Sequence, residues 1–537
     1  MMRYGWIVVA LSASVWAQPP LIYYRGIWNA ASLMPAGLPG GAVARGGLFS
    51  ITGRNIGPAT APAVATPPQI NLGGVSVTIT QGATTVNAIP LAVSPGQITA
   101  IMPADAPLGA SAVRVTFNNA RSNPMPVQIT AAQFGIYTAR GFGNGPAVIS
   151  AVADDGTLTP VTLQAPALPG QTVILDGTGL GSSKATAFVG GFPSAVLTTS
   201  RTLGVDQLTF TIPGDAPPGC WTPVYIKHGA SVSNFATVAI SADGSPCAEP
   251  GNVLASALIN GGNIGLYTAA RITTRHDFQV PTPRDATVDL FGAYQAAEQQ
   301  GPNNFNPMFS LPPVGSCTVY TFPGDLASDD AAIIPGMAPP TIGGLMAGAV
   351  ALMSASKGPA IAVDSKVYPG MSSGQLAASI PSLPLTNTSF LDPGPLNLSI
   401  AGGNDVDAAN LDDSAPLPFT WTNRDQITSI DRAKPLTFSF TGGSAVSNVF
   451  IAGEGVDLPT NSSTVFLCIA APGSTAFNVP VDVLANLPAT RFRVVQSRSF
   501  LYVGQWNLAG ANPLGAPGLD FSAFLPVFTT GKTVRIQ

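Results

Sequence analysis

The chain has 537 residues, of which 58 are Gly and 51 are Pro, so about a fifth of its positions interrupt regular structure and long helices are excluded. Only 9% of residues are charged while 46% are hydrophobic, with a formal net charge of −4, which excludes a disordered polyelectrolyte and a binder of nucleic-acid backbones. This length predicts roughly three or four domains, each able to bury its own core.

Residues 1–17 have the pattern of a secretory signal: Arg3, an apolar run from Gly5 to Leu11, and the small-residue ending Val15-Trp16-Ala17 before Gln18. The apolar run is shorter than the roughly 18 to 20 residues that cross a bilayer, and Pro19-Pro20 follow it. Cleavage is expected after Ala17, giving an extracellular or cell-surface protein with no transmembrane segment.

Two stretches then match at fixed spacing. Gln97 to Gly109 (QITAIMPADAPLG) lies over Gln207 to Gly219 (QLTFTIPGDAPPG) at an offset of 110. Upstream, Phe49 to Gly57 corresponds to Val173 to Gly181; downstream, alternating strands lead to Ser122-Asn123 and Ser233-Asn234. Each copy is a set of short period-2 strands broken by Gly, Pro, Asn and Asp, which predicts a small antiparallel β-sandwich. The Pro-Ala-Asp-Ala-Pro and Pro-Gly-Asp-Ala-Pro segments suit turns, because Pro presets φ and Gly accepts positive φ. The expected organisation is a first sandwich over 18–132 with an extra Pro/Ala-rich loop at 58–68, a connector with a hairpin over 133–163, and a second sandwich over 164–241.

At these residues the chain resembles the IPT/TIG class of immunoglobulin-like domains, marked by a strand, a G-x-G-Φ-G turn and a later P-x-x-x-x-x-G turn. It is similar also to a set of uncharacterised secreted proteins of soil bacteria, which open with Asn-Ala-Ala-Ser, here Asn29 to Ser32, and carry Val93-Ser94-Pro95-Gly96-Gln97-Ile98. The similarity covers about residues 25–241. The second copy departs from it in lacking the Ser-Pro-Gly lead-in and in carrying Cys220. The resemblance implies a fold and a secreted location, and no activity.

A Gly/Pro/Ser stretch at 241–251 marks a boundary, beyond which 242–537 is expected to be β-rich, as one unit or as two modules meeting near 375. Strands are predicted at Thr287–Leu290, Thr318–Phe322, Leu396–Ile400, Leu436–Phe440, Val449–Ile451, Val465–Ile469, Arg491–Val495 and Thr533–Ile536, with one helical turn at Val481–Leu487. A weaker resemblance to the C-terminal region of the same secreted proteins lies in Gly315 to Tyr320, Phe390 to Gly394 and Trp421-Thr422-Asn423. The four cysteines, Cys220, Cys247, Cys317 and Cys468, are an even number in a chain that reads as exported, which favours disulfides over metal ligation. Three pairings are open; proximity and the boundary favour Cys220 with Cys247 and Cys317 with Cys468.

The chemistry on offer is thin. Gly370-Met371-Ser372-Ser373-Gly374 fits the G-x-S-x-G nucleophile elbow, but His228 and His276 both precede it, so the order Ser, acid, His cannot be assembled. His228 beside Gly229 reads as a hairpin residue, and His276-Asp277 as a pair with no nucleophile. Gly177 to Lys184 imitates a phosphate loop without the Lys directly after the last Gly or the following helix. Asp405, Asp407, Asp412 and Asp413 form the densest acidic cluster, which reads as a solvated loop or a weak structural Ca²⁺ site, and the same holds for Asp325, Asp329 and Asp330. Tyr23, Tyr24, Trp28 and Trp506 are the candidate ligand-binding aromatics, with packing as the ordinary alternative.

These features together point to a secreted, non-catalytic protein of adhesion, matrix building or glycan binding, with an extracellular polysaccharide or a cell-surface protein as partner and no cofactor beyond structural calcium. The alternative is a secreted hydrolase with paired carboxylates in 242–537 and the N-terminal sandwiches as spacers.

Overall fold

A computed structural model describes residues 18–182, 184–249, 252–277, 284–298, 301–307, 309–323, 343–344, 350–354, 361–363, 391–392, 394–415, 417–490, 499–507 and 515–537. The signal segment, the G-x-S-x-G stretch, Asp325, Asp329, Asp330 and the strand expected at 491–495 lie outside the described residues. The all-β expectation holds: among the described residues, thirty-seven strands are accompanied by two short α-helices and one 3₁₀ turn.

In the first sandwich, Leu21–Asn29, Leu48–Arg54 and Gln97–Ile101 form one sheet, and Val75–Gln81, Gly109–Phe117 and Met125–Thr130 the other. Strand Thr84–Val93 belongs to both. Its first half pairs with Val75–Gln81, its second half with Gln97–Ile101, and the register slips between Pro90 and Ala92. A β-bulge bends a strand and strengthens its twist, which lets one strand turn the corner between layers. Period-2 alternation sends Val77, Ile79, Val113 and Val115 inward to meet Phe49, Ile51, Ile98 and Ala100, all fully buried in one core. Removing a ring such as Phe49 from that core would cost about 3–5 kcal/mol.

The second sandwich repeats the device. Strand Phe192–Thr202 pairs first with Thr186–Val189 and then with Val205–Thr211, slipping between Val196 and Thr198. The repeat also conserves backbone conformation: Asn55 and its counterpart Gly179 both have positive φ, 54° and 88°, and both are followed by a buried aliphatic residue, Ile56 and Leu180. In each copy the Ser-Asn pair clips the backbone of an incoming segment. Asn123 accepts from the Ile22 amide at 2.8 Å and donates to the Ile22 carbonyl at 3.1 Å; Asn234 does the same to Ile136 at the same distances.

The copies differ in what covers them. Gly109–Phe117 alternates between buried and more exposed positions, whereas Gly219–His228 is buried on both faces through Ile226. The outward Trp221 and Tyr225 of the second copy pack under the C-terminal region: the Trp221 indole donates to the Asn304 carbonyl at 2.9 Å, and Tyr225 joins a core with Trp421, Phe438 and Phe466. The first sandwich has a core of its own, while that of the second runs on into Phe305, Phe309, Tyr320, Ala523 and Leu525.

Beyond 252 an eight-stranded sheet is ordered Cys317–Pro323, Ser462–Ala470, Asn448–Asp457, Ser499–Trp506, Phe521–Thr533, Gly262–His276, Arg284–Glu298 and Gly343–Gly344. One pairing is parallel, between Gly262–His276 and Phe521–Thr533, so the first and last long strands of this region lie side by side. Disulfides join Cys220 to Cys247 and Cys317 to Cys468, the latter two directly opposite each other on neighbouring strands. The expected turn at 481–487 is helical over Val481–Leu484. A second helix, Val253–Asn260, was not expected: its apolar run between Gly251 and Gly261 has no helical alternation to read, and it is held by burying Ala255, Leu258 and Ile259 against the sheet. Among the described residues, no helix is long and apolar enough to cross a membrane.

Candidate binding cleft

Three parts of the chain meet around Asn29. Its side chain is buried and fully used: Oδ1 accepts from the amides of Ala31 (2.9 Å) and Ser32 (3.1 Å), and Nδ2 donates to the carbonyls of Gln133 (3.1 Å) and Thr178 (3.3 Å). The Asn-Ala-Ala-Ser motif is therefore a turn whose first residue pins the first sandwich to the second. Thr178 adds to the joint, its hydroxyl accepting from the Leu48 amide and donating to the Gly204 carbonyl, both at 2.6 Å. A second contact ties the same N-terminal strand to the C-terminal region, where Arg25 lies 3.8 Å from the buried Asp457 carboxylate.

Trp28, directly before this pin, lines a cleft of about 450 Å³. The first sandwich contributes Trp28 and the turn Ser32 to Pro35, the second contributes Phe142, Asn144 and Phe235, and the C-terminal region contributes Val319, Phe322, Ser462 and Asn486. The 142–144 segment is held by the repeat's own clip, because Asn234 also donates to the Gly143 carbonyl at 2.7 Å. Phe142 is 41% exposed, with the Arg140 guanidinium 5.7 Å from its ring centre.

The chemistry of the lining is uniform: none of its residues is Lys, Arg, His, Asp or Glu. Aromatic and aliphatic side chains dominate, with a few amides and hydroxyls between them. Several of those are committed, Asn234 to backbone and Thr321 to Thr464 at 3.1 Å. Asn144 is a mostly buried residue of the lining. The Trp28 indole N–H is buried and without a partner among the described residues. A concave, largely apolar space of this size with few convergent polar groups is the usual form of a small-ligand site.

The other candidates fall elsewhere. Tyr23 and Tyr24 are exposed on the same strand as Trp28; both face outward because the register breaks between Ile22 and Ile27, with Arg25 at φ 55°. Trp506 does not line the cleft; it packs against Phe450, ring centres 4.5 Å apart. Asp412 and Asp413 are successive residues of the strand Ala409–Ser414, so alternation turns them to opposite faces, and Asp412 accepts from the Asn397 amide at 2.8 Å. Asp405 and Asp407 precede that strand, and among the described residues no three acidic, His or Cys side chains gather as a metal would require. His228 sits opposite Ser231 across the Gly229-Ala230 turn. Gly177 and Thr178 end the strand Thr172–Thr178, and the next element among the described residues is the strand Thr186–Val189, not the helix a phosphate loop needs.

No protein-family model matches the chain, and no curated protein matches it in sequence. Some solved structures share part of its shape. The plexin A4 full extracellular region is similar at 12% identity and a TM-score of 0.15, covering 43% of this chain and 19% of the plexin chain. SGBP-B of the Bacteroides ovatus mixed-linkage glucan utilization locus, in complex with a mixed-linkage heptasaccharide, is similar at 12% identity and a TM-score of 0.21, covering 47% of this chain and 67% of that one. A tetra-tandem repeat from the extending region of a large adhesion protein is similar at 13% identity and a TM-score of 0.12, covering 91% and 95%. Likeness at this level identifies no function.

Proposed function

We propose that this protein is an exported, non-catalytic surface protein that binds extracellular polysaccharide, with the cleft at the three-way joint as its binding site and adhesion or matrix building as its role. The observation that carries this reading is the cleft's lining: Trp28, Phe142 and Phe235 are its aromatic residues from the N-terminal half, the buried Trp28 N–H has no partner among the described residues, Asn144 is among the few amides, and none of the lining residues is charged. Two disulfides suit an oxidising compartment outside the cytoplasm, which agrees with cleavage of a signal at Ala17. We further read the first two sandwiches as IPT/TIG-type modules, supported by the strand that changes layers and by the shared positive φ at Asn55 and Gly179.

A glycan array probed with the full chain tests the reading. Binding that falls at least about tenfold in Trp28→Ala or Phe142→Ala is expected. Absence of any glycan binding by the wild type, or turnover of a bound polysaccharide, would overturn it.

A further inference from the structure

We infer that the binding site continues out of the cleft across Arg25 to the exposed Tyr24 ring, and that it takes a run of several sugar units and not a single one; the inference rests on the glycan-binding reading above. Two walls of the cleft lead to Arg25. Its Nη1 donates to the Ala36 carbonyl at 3.0 Å, next to the lining turn Ser32 to Pro35, and lies 3.8 Å from Asp457, whose strand partner Ser462 also lines the cleft. The Tyr24 ring centre is 5.3 Å from the same guanidinium, and Tyr24 is 75% exposed. Cleft rim, guanidinium and ring are therefore contiguous. Trp28 of the lining lies farther along the same strand, about 13 Å from Tyr24 if the strand were fully extended.

The backbone departs from its local preference to make this surface. Regular alternation would turn one of two successive tyrosines inward, yet Tyr23 and Tyr24 are both exposed, because Arg25 takes φ 55°, a left-handed conformation that a non-Gly residue seldom adopts. Such outliers gather at ligand-facing sites. The chemistry of the surface suits a sugar chain. Tyr24 offers its ring to the C–H face of a pyranose. Arg25, whose guanidinium makes one hydrogen bond among the described residues, presents further N–H donors to hydroxyl and ring oxygens, with its charge offset by Asp457. A cleft of about 450 Å³ holds only part of a polymer. The units that cross its rim must be ordered to bind, and a surface that receives them offsets that cost.

The test is a glycan array probed with the full chain, in which each backbone, β-1,4-glucan, β-1,4-mannan, β-1,4-xylan and chitin among them, is present as graded oligosaccharides of two to eight units, followed by calorimetry on the series that binds. Affinity should rise at least about tenfold from the dimer to the hexamer. Tyr24→Ala, at a position too exposed for the fold to need it, should weaken the hexamer at least about fivefold and leave the dimer unchanged. Tyr24→Phe keeps the ring and should bind every length within about twofold of the wild type. A dimer that binds as tightly as the hexamer, long chains untouched by Tyr24→Ala, or an equal loss at every length would overturn the inference while leaving glycan binding intact. An array with no ligand at all would instead remove the proposed function, and the inference with it.

Discussion

The second sandwich and the C-terminal region are joined by a partly buried ionic contact whose removal has a calculable effect. Lys227 Nζ lies 2.7 Å from Asp482 Oδ1, and the Tyr225 hydroxyl lies 3.3 Å from Asp482 Oδ2. Burial, reinforced by the Asp482 carboxylate, raises the Tyr225 pKa well above its ordinary value, so the phenol stays a neutral donor at all physiological pH. Two unit charges about 4 Å apart attract by about 4 kcal/mol at an effective dielectric of about 20. Breaking a fully buried pair typically costs about 3–5 kcal/mol, but here the Lys227 side chain is 33% exposed against 9% for Asp482, so water recovers part of the loss. Asp482→Ala is therefore expected to destabilise by about 2 kcal/mol, measured by urea unfolding followed through tryptophan fluorescence. A double-mutant cycle with Lys227→Met should give a coupling of about 1 kcal/mol, reduced in high salt only modestly because the carboxylate is buried. A coupling below about 0.3 kcal/mol would show that the pair is solvated and that the contact is held by the apolar core Tyr225 shares with Trp421, Phe438 and Phe466.

Glu249 accepts from the Cys220 amide at 2.6 Å, and burial pushes its carboxyl up to about 7. A carboxyl with a raised folded pKa is protonated in the folded and ionised in the unfolded chain between about 4.5 and 7, so stability falls as pH rises across that window. Glu249→Gln should flatten that fall, by up to about 2 kcal/mol in chemical denaturation at pH 5 against pH 8. In the chain-entropy view, closing the separation of 151 residues between Cys317 and Cys468 stabilises by about 5 kcal/mol, and the separation of 27 between Cys220 and Cys247 by about 3.5. Cys317→Ala with Cys468→Ala should thus lower the thermal midpoint more than the other double variant, and iodoacetamide should label no cysteine in denatured, unreduced protein. Asn29→Ala strands the Gln133 and Thr178 carbonyls at the joint and should cost about 2–4 kcal/mol in urea unfolding; Asn29→Asp, which keeps the acceptor but buries a charge, should not rescue it.

The repeat made the sandwiches legible because each copy must solve the same local problem. Period-2 alternation marks the strands, Gly and Pro mark the turns, and the Ser-Asn pair recurs because an incoming backbone needs the same bidentate clip in both. Strands such as Thr318–Phe322 and Val465–Ile469 were legible for the same reason. The long strands Gly262–His276 and Phe521–Thr533 were not, since their mixture of Gly, Ala, Thr and Pro shows little alternation and their stability comes from pairing with each other across the whole region.

The cleft was legible only in one residue, and the reason lies in how it is built. Trp28 could be singled out as an aromatic shortly after the expected cleavage position, but nothing in its neighbourhood announces Phe142, Phe322 or Asn486, which reach it from other parts of the chain. A readable signal did exist one step earlier. Outward Arg114 of the first copy is exposed, while Tyr225 occupies the corresponding outward face of the second copy and is buried. A repeat that trades a charge for an aromatic on its outer face, within the nearly unbroken apolar run Cys220 to Ile226, is a strand that must be covered on both sides. What covers it is the C-terminal region. Once that region is fixed by Tyr225, Lys227 and Asp482 on one side and by Arg25 and Asp457 on the other, the space left between the three parts is the cleft. Its shape is thus a consequence of the contacts that hold the joint, so substitutions at Asn29 or Asp482 should disturb ligand binding although neither residue lines it.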